Sequence, residues 1–436
     1  MKGCRMLMIG ALSVFIAVPS VQATDLVAVY QQAAASSPWL KQRLATRDAQ
    51  HAAADGAFSS WLPQVSLGAS ETAQWVYGDS YQASVLQAQV TQNVFNLQAW
   101  GNWANVDDTA LAQDATYQEQ QQTFILDIAQ AYFLILQSQD MVHFAQAKLT
   151  FLKQTLTQTQ HKWQVGLGTV TDYKQALANY DEAVADVIKA KNNLAVAIEG
   201  LRTYTGQVYK HLSSLKTDFT FSQPQPANID YWVRQAVERN DTLRAQQYLS
   251  KAAKQNAVSQ YGNHLPIVQF VGTYTKNDNN SSGEALSTLG YRHQDNGTLA
   301  LQLTWNIFQG GTLFASEAQA ERQYDAQLSI QENTYRTIVS QVRQDYLNVI
   351  AQVSQVRSYT EAVKAGAASL QQFEAKYKAG TETIVNVLDQ VQKLYAAKQN
   401  LASAQYQYVI DQLTLQRDVG ALSTQTLAKL NKWLTA

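Results

Sequence analysis

The chain has 436 residues, of which 33 are lysine or arginine and 34 are aspartate or glutamate. This near-balance of charge does not indicate a nucleic acid or an anionic surface as a partner. Cys4 is the only cysteine, which excludes a disulfide framework. The six prolines leave 64–223 and 267–436 without any. Because an interior proline costs a helix roughly 3 kcal/mol, such gaps predict very long helices.

Residues 1–23 have the pattern of a signal peptide. Lys2 and Arg5 precede the apolar run MLMIGALSVFIAV, and VQA at 21–23 provides a small-residue cleavage site. Cys4 lies inside this segment, so the exported chain is expected to carry neither a disulfide nor a lipid-bearing cysteine. Downstream, no apolar run approaches the roughly 20 residues of a membrane-spanning helix. Insertion into a membrane would therefore require strands.

The remaining chain is predicted to consist of two structural repeats, 24–225 and 226–436. FSSWLPQVSLGAS at 58–70 matches YGNHLPIVQFVGT at 261–273, and the glycine breaks VGLG and KAGT recur at equivalent positions. Each repeat is expected to contain a helix, a β-hairpin, a long helix, a tip turn and a second helix. The hairpins are predicted at 64–95 and 267–307, and the tip turns at 165–171 and 379–385.

The hairpin strands alternate between apolar and polar residues. In TLALQLTWNI at 298–307, one face carries Leu299, Leu301, Leu303, Trp305 and Ile307. One such strand alone is more typical of a half-buried surface hairpin. Two hairpins at equivalent repeat positions in an exported chain favour a water-filled transmembrane barrel. Four strands cannot close a barrel, so two or three copies must pool eight or twelve strands.

The long helices carry heptad patterns typical of coiled coils. The first helix has Val142, Ala145, Leu149, Leu152 and Leu156, and the second has Val342, Tyr346, Val349, Val353, Val356, Thr360 and Val363. Two helices of about 35 residues, placed end to end, match the length of one long helix. The expected fold class is therefore mixed α and transmembrane β, with a long coiled-coil extension.

Five segments resemble the outer-membrane efflux protein family: ATYQEQQQTFILDIAQAYFLIL at 115–136, KWQVGLGTVTD at 162–172, QPQPAN at 223–228, NIFQGG at 306–311 and YKAGTETIVNVLDQVQKLYAAKQNLASAQY at 377–406. The resemblance implies a homotrimer in the Gram-negative outer membrane. It also implies one twelve-stranded barrel that continues into a periplasmic α-helical tunnel. The implied partners are outer-membrane lipid, a periplasmic adaptor and an inner-membrane pump or ABC exporter.

The same resemblance implies a gate and a selectivity ring at the periplasmic tip. Thr171, Asp172 and Tyr377 match gate residues of the family, and Asp389 matches one aspartate of a ring that narrows the entrance. Two positions depart from the pattern: Glu382 replaces an arginine, and Asn386 replaces the second aspartate. We expect a duct that other contacts, such as hydrogen bonds of Tyr377, hold shut, or one that is less tightly closed at rest.

The tip turns are also where the family's adaptors dock. The resemblance therefore assigns adaptor docking to Gly166, Leu167, Gly380 and Thr381. As a simpler alternative, these residues serve turn formation alone, and both roles are compatible.

No catalytic, cofactor or metal-binding motif stands out. The six histidines are scattered, and H-E-x-x-H, C-x-x-C, Walker-type and G-x-S-x-G patterns are absent from the sequence. A structural coiled-coil protein of the envelope and a simple diffusion porin remain as alternatives. The first does not explain the strand hairpins, and the second does not explain the long helical stretches.

Overall fold

The structure, a computed structural model, describes residues 24–76, 79–209, 211–216, 219–281 and 293–435. The predicted signal peptide and the centre of the polar segment 276–297 lie outside the described residues. In the part of the chain that is described, none of the helices combines the length and the apolar character needed to cross a membrane.

The two repeats contain the same elements in the same order. The first comprises α1 (Leu26–Ser36), α2 (Pro38–Phe58), β1 (Gln64–Val76), β2 (Asp79–Phe95), α3 (Leu97–Gln164) and α4 (Val170–Thr205). The second comprises α5 (Ile229–Arg239), α6 (Asp241–Gly262), β3 (Ile267–Ser281), β4 (His293–Thr304), α7 (Thr312–Lys378) and α8 (Ile384–Asp418). A short helix α9 (Thr424–Asn431) follows. The described part of the chain is therefore mostly helical, with four strands.

Three bounds differ from the expected ones. β4 ends at Thr304 rather than at 307, and the next residue, Trp305, donates its indole N–H to the His264 carbonyl at 3.0 Å. Both tip turns are shorter than expected, because α4 resumes at Val170 and α8 at Ile384.

The long helices α3 and α7 organise the packing. α3 has 68 residues and α7 has 67, which corresponds to about 100 Å each. α2 packs on the part of α3 near the sheet, and α4 packs on the part near the tip; in the second repeat, α6 and α8 occupy the same places on α7. α6 also packs along α3 and joins the repeats. On the α7 heptad, Val342, Tyr346, Val349 and Val356 are buried.

The largest core lies near the middle of the molecule, where α1, residues 211–216, α5 and α9 surround the long helices. We call this region the equatorial belt. Tyr132 of α3 is fully buried there and donates its hydroxyl to the Ser213 carbonyl at 2.8 Å. Burial raises the pKa of Tyr132 far above its ordinary value, so it remains a neutral donor.

The four strands form one antiparallel sheet in the order β1-β2-β3-β4. Its register aligns residues of the four strands in cross-strand rows of two kinds, apolar and polar. One row joins Val65, Val90, Gly272 and Leu299, and the adjacent row joins Ser66, Gln89, Thr273 and Thr298. Neighbouring rows point to opposite faces. On the apolar face of β4, Leu299, Leu301 and Leu303 are 79%, 71% and 63% exposed, so one protomer leaves this face uncovered.

Candidate functional site

The end of the molecule opposite the sheet carries the two tip turns, and their backbones are nearly identical. Gly166 and Gly380 have φ angles of 74° and 75°, a left-handed conformation that residues with a Cβ resist. One residue later, Leu167 donates its N–H to the Lys162 carbonyl at 2.8 Å, and Thr381 donates to the Lys376 carbonyl at 3.0 Å. Both long helices therefore end in a Schellman motif.

The helices that follow the turns begin differently. In the first repeat, the Thr169 hydroxyl accepts the Asp172 N–H at 3.0 Å, which caps α4. In the second, Thr383 makes no side-chain cap. The Glu382 carboxylate instead accepts the Thr383 N–H at 3.0 Å and the Asn386 side-chain N–H at 2.6 Å. Glu382 and Asn386, the two residues that depart from the family pattern, are therefore hydrogen-bonded to each other.

The environment of Glu382 keeps it ionised. Hydrogen bonds from Asn386 and from the Thr383 N–H, together with the charge of Lys376, lower the pKa of Glu382 below its ordinary value. The carboxylate thus remains as a negative charge at neutral pH in the turn at 379–383, which we call the inner turn; the turn at 165–169 is called the outer turn.

A lysine and a tyrosine join the tips of the two repeats. Lys162, near the end of α3, places Nζ 4.0 Å from the centroid of the Tyr377 ring, a cation–π contact. Tyr377 also packs against the cluster around Ile384, Val387 and Leu388. No hydrogen bond joins its hydroxyl to another described residue, so the contact between the tips uses the ring face.

The other predicted gate residues lie on the first turn of α4. Asp172 is partly buried and Thr171 is exposed. Among the described residues, Asp172 forms no ion pair, and its backbone N–H serves the Thr169 cap. The side-chain bonds of Glu382 go to Thr383 and Asn386, so none joins it to Asp172 among the described residues.

Asp389, the predicted ring residue, has a cationic neighbour that the sequence analysis did not include. Its carboxylate lies 2.7 Å from Lys393 Nζ, one helical turn further along α8. Both side chains are more than half exposed, so solvent weakens the pair. The i,i+4 spacing of Asp389 and Lys393 was the signal that could have identified it.

The predicted docking residues border an exposed apolar surface. Leu167 is 80% exposed, and Val165, Val170 and Val385 are each at least half exposed. Together with Gly166, Gly380 and Thr381, they form a surface that we call the tip patch. Since such residues rarely face water as a group without a partner, the tip patch is suited to an apolar contact.

Comparison with protein families identifies the chain. The model of the family "Outer membrane efflux protein" matches residues 29–207 and 232–421, one match for each repeat. The chain belongs to the outer membrane efflux protein family. As a member, it is an outer-membrane exit duct whose helices extend into the periplasm, rather than a structural coiled coil or a porin.

Two relatives illustrate the range of similarity. The chain is 34% identical over 424 residues to the outer membrane protein TolC of Escherichia coli K12, covering 95% of this chain and 86% of that protein. It is 23% identical over 349 residues to the alkaline protease secretion protein AprF of Pseudomonas aeruginosa, covering 80% and 72%.

Solved structures support the same fold. The chain superposes on the CusC channel with a TM-score of 0.80 at 15% identity, covering 91% of this chain and 92% of that one. On VceC of Vibrio cholerae the TM-score is 0.79 at 17% identity, with 91% and 96% covered. At this identity, the likeness concerns the fold.

The described residues contain no group of three or more His, Cys, Asp and Glu side chains that could hold a metal ion. The functional features of the described tip are thus a turn, charged side chains and an apolar patch.

Proposed function

We propose that three copies of this chain form the exit duct of a tripartite efflux or type I secretion assembly. A periplasmic adaptor and an inner-membrane pump or ABC exporter complete the assembly. Cargo passes by conduction once the periplasmic gate opens, and the partner supplies the energy. The observation that carries the proposal is the four-stranded sheet with one exposed apolar face, attached to helices of about 100 Å.

The sheet edges support assembly between copies. Within the described protomer, β1 and β4 each pair on one side only. Unpaired strand edges are not tolerated in lipid, because their backbone groups find no water there. β1 of one copy and β4 of the next can satisfy each other and close a ring.

Three copies suit a conduit better than two. An eight-stranded barrel is just wide enough for its side chains to fill the interior, so it leaves no passage for cargo. Twelve strands widen the barrel, and the face with Ser66, Gln89, Thr273 and Thr298 lines it with polar groups. This arrangement fits a water-filled lumen.

Aromatic residues at the base of the sheet support membrane placement. The Trp100 ring contacts those of Trp61 and Trp103, with centroids 6.1 and 4.9 Å away. Phe308 and Phe314, just beyond β4, are 79% and 67% exposed. Tryptophan and other aromatic rings favour the interface between lipid and water, so this level marks the periplasmic boundary of the membrane.

The tip patch is the proposed adaptor-docking surface. Its apolar side chains project from turns whose backbones are fixed by Gly166 and Gly380, which gives an adaptor a preformed surface. The name of AprF describes protease secretion, and we extend protein export to this chain as a second transport function beside small-molecule efflux.

The gate of this duct is proposed to depend on Lys162 and Tyr377. Glu382 lacks the positive charge of an arginine, and its carboxylate is bonded to Asn386 rather than to α4. The contact between Lys162 of α3 and Tyr377 of α7 links the two helical hairpins instead. Glu382→Arg is expected to lower the single-channel conductance, because a new charge-assisted bond to Asp172 is worth about 0.2 to 1 kcal/mol in each copy. An unchanged or higher conductance contradicts this assignment.

Asp389 is proposed to form a ring of three carboxylates at the neck. Such a ring prefers cations, although Lys393 offsets part of its charge. In planar bilayers, wild-type protein is expected to give a small, cation-selective current that a trivalent cation blocks from the tip side. Asp389→Ala should reduce selectivity and block, and Lys393→Met should strengthen both. A large current indifferent to the trivalent cation argues against the ring.

A further inference from the structure

Two aspartates meet where α7 and α8 enter the equatorial belt. Asp345 lies about halfway along α7, and Asp418 is the last residue of α8. Both are a similar number of residues from the inner tip turn, so they face each other across the far end of the α7–α8 hairpin. The pair therefore sits at the base of the coil that carries Tyr377 and Glu382 at its other end.

Each carboxyl group has one satisfied oxygen and one unsatisfied oxygen. Asp345 Oδ1 accepts from the Gln341 side chain at 2.9 Å, and Asp418 Oδ1 accepts from Arg417 at 2.7 and 2.6 Å. The Oδ2 atoms of both aspartates are buried and have no donor among the described residues. Asp345 is only 3% exposed. A buried carboxylate oxygen without a donor is costly.

The surrounding charges cannot neutralise both groups. The charge of Arg417 acts on both carboxyl groups, but Arg417 already forms an ion pair with Asp418. The further charged groups around the site lie on α3 and α6: Glu119, Asp127, Asp241 and Arg244. Arg244 pairs with Asp241 at 2.6 Å. Acidic groups thus outnumber basic ones around the pair.

A proton resolves the conflict. Burial, followed by hydrogen bonding to Asp418 and the charge of that residue, raises the pKa of Asp345 to about 7. When one of two adjacent carboxyls is protonated, its O–H donates to the other, and both unsatisfied oxygens gain a partner. The titration then belongs to the pair rather than to either residue.

We propose that Asp345 and Asp418 share one proton, and that this hydrogen bond clasps α7 to the end of α8 at the base of the α7–α8 hairpin. Deprotonation leaves two buried carboxylates facing each other and opens the clasp. The clasp is a conformational device of the protomer and does not depend on the proposed transport function.

The sign of the pH effect follows from proton linkage. An unfolded aspartate titrates at about 3.9, whereas the folded pair holds its proton up to about pH 7. Between these values the folded state binds more protons than the unfolded state, so the free energy of unfolding falls as pH rises through this window. Above it, the contribution of the pair is constant.

Asp345→Asn tests the clasp, because the amide N–H donates to Asp418 at every pH. The full chain in detergent is heated at pH 5, 6, 7 and 8 while helical circular dichroism is followed. Wild-type Tm should fall by several degrees over this range, and the fall should be markedly smaller in Asp345→Asn. Asp325→Asn is the charge-matched control, since Asp325 lies on the exposed side of α7 beside Arg322; it should keep the wild-type pH dependence.

Infrared spectroscopy provides a second readout. At pH 6, the wild type should show the C=O stretch of a protonated carboxyl that disappears at high pH and is reduced in Asp345→Asn. If Asp345→Asn does not fold, Asp418→Asn is examined for the same loss. An equal pH dependence in wild type and Asp345→Asn, or a carboxyl band unaffected by both variants, overturns the proposal. Conductance plays no part in these readouts, so failure of the duct function is distinguishable from failure of the clasp.

Discussion

The two tip turns of the molecule share a backbone and differ in what holds the following helix. Both end in a Schellman motif with a left-handed glycine. In the outer turn a threonine side chain caps α4, whereas in the inner turn packing takes that role: Ile384, Val387 and Leu388 at the start of α8 are buried. The two repeats thus share the backbone of the turn, and they differ in the interaction that stabilises the start of the next helix.

The two turns also differ in the residues around them. The outer turn presents Leu167 and Val170 to solvent, at 80% and 50% exposure. The inner turn carries Glu382, and it leads into α8, which bears Asp389 and is anchored by its apolar face. Apolar anchoring is needed there because charged side chains provide little stability at exposed positions.

The largest expected effect concerns the left-handed glycine, which the two turns share. Gly166→Ala and Gly380→Ala should each lower the local free energy of unfolding by about 1 to 2 kcal/mol, because a Cβ disfavours left-handed backbone by that amount. Hydrogen exchange of the turn amides, followed by mass spectrometry, measures the effect. Gly56→Ala in α2, where a Cβ meets open space, is the control and should stabilise slightly. Very different costs at the two turns contradict their equivalence.

The next test concerns the helix starts, where the turns differ. Thr169→Ala should cost about 1 kcal/mol through loss of the α4 cap, and Thr383→Ala only a few tenths of that. Exchange rates of amides in the first turns of α4 and α8 report the two effects separately. Thr169→Ser keeps the hydroxyl and should behave as wild type. Equal costs at both threonines would falsify the view that packing replaces the cap.

The smallest effect concerns the contact that connects the turns. Lys162→Met removes a cation–π interaction between two partly exposed side chains, worth about 0.5 to 1 kcal/mol, and it should raise the open fraction of the channel in bilayer recordings. Lys162→Arg should retain most of the closure. Lys174→Met is the matched control. Lys174 Nζ lies 5.7 Å from the centroid of the Tyr173 ring on its own helix, so this contact does not connect the two repeats. If both methionine variants conduct alike, the contact does not hold the gate.

Much of the fold was accessible from the sequence because its signals are periodic and local. Alternation in 298–307 predicted the apolar face that carries Leu299 and Leu301, and the heptads predicted the burial of Val342 and Val349. The end of β4 was placed too late, because Trp305 continues the alternation although its indole bonds to the loop at His264. Alternation reports which face a side chain occupies, and it does not report where strand pairing stops.

The candidate site was accessible only in part. The resemblance to the family pointed to Tyr377, Glu382 and Asp389, and these remain proposals for the gate and ring. The sequence analysis did not identify Lys162, because no local pattern indicates which lysine contacts a tyrosine of the other repeat. Hydrogen bonds of Tyr377 were one example of the contacts expected to hold the duct shut, and within one protomer the structure shows its ring in contact with a cation.

The sequence by itself determined the glycine turns, the alternating strands and their recurrence in two repeats, since each depends on residues close together in the chain; the signal peptide stays a prediction. Tertiary structure alone decided the contact of Lys162 with Tyr377 and the meeting of Asp345 with Asp418. Those pairs are far apart in sequence, and they approach only because helices of about 100 Å pack in one register. A small change in that register separates both pairs while leaving every local pattern intact.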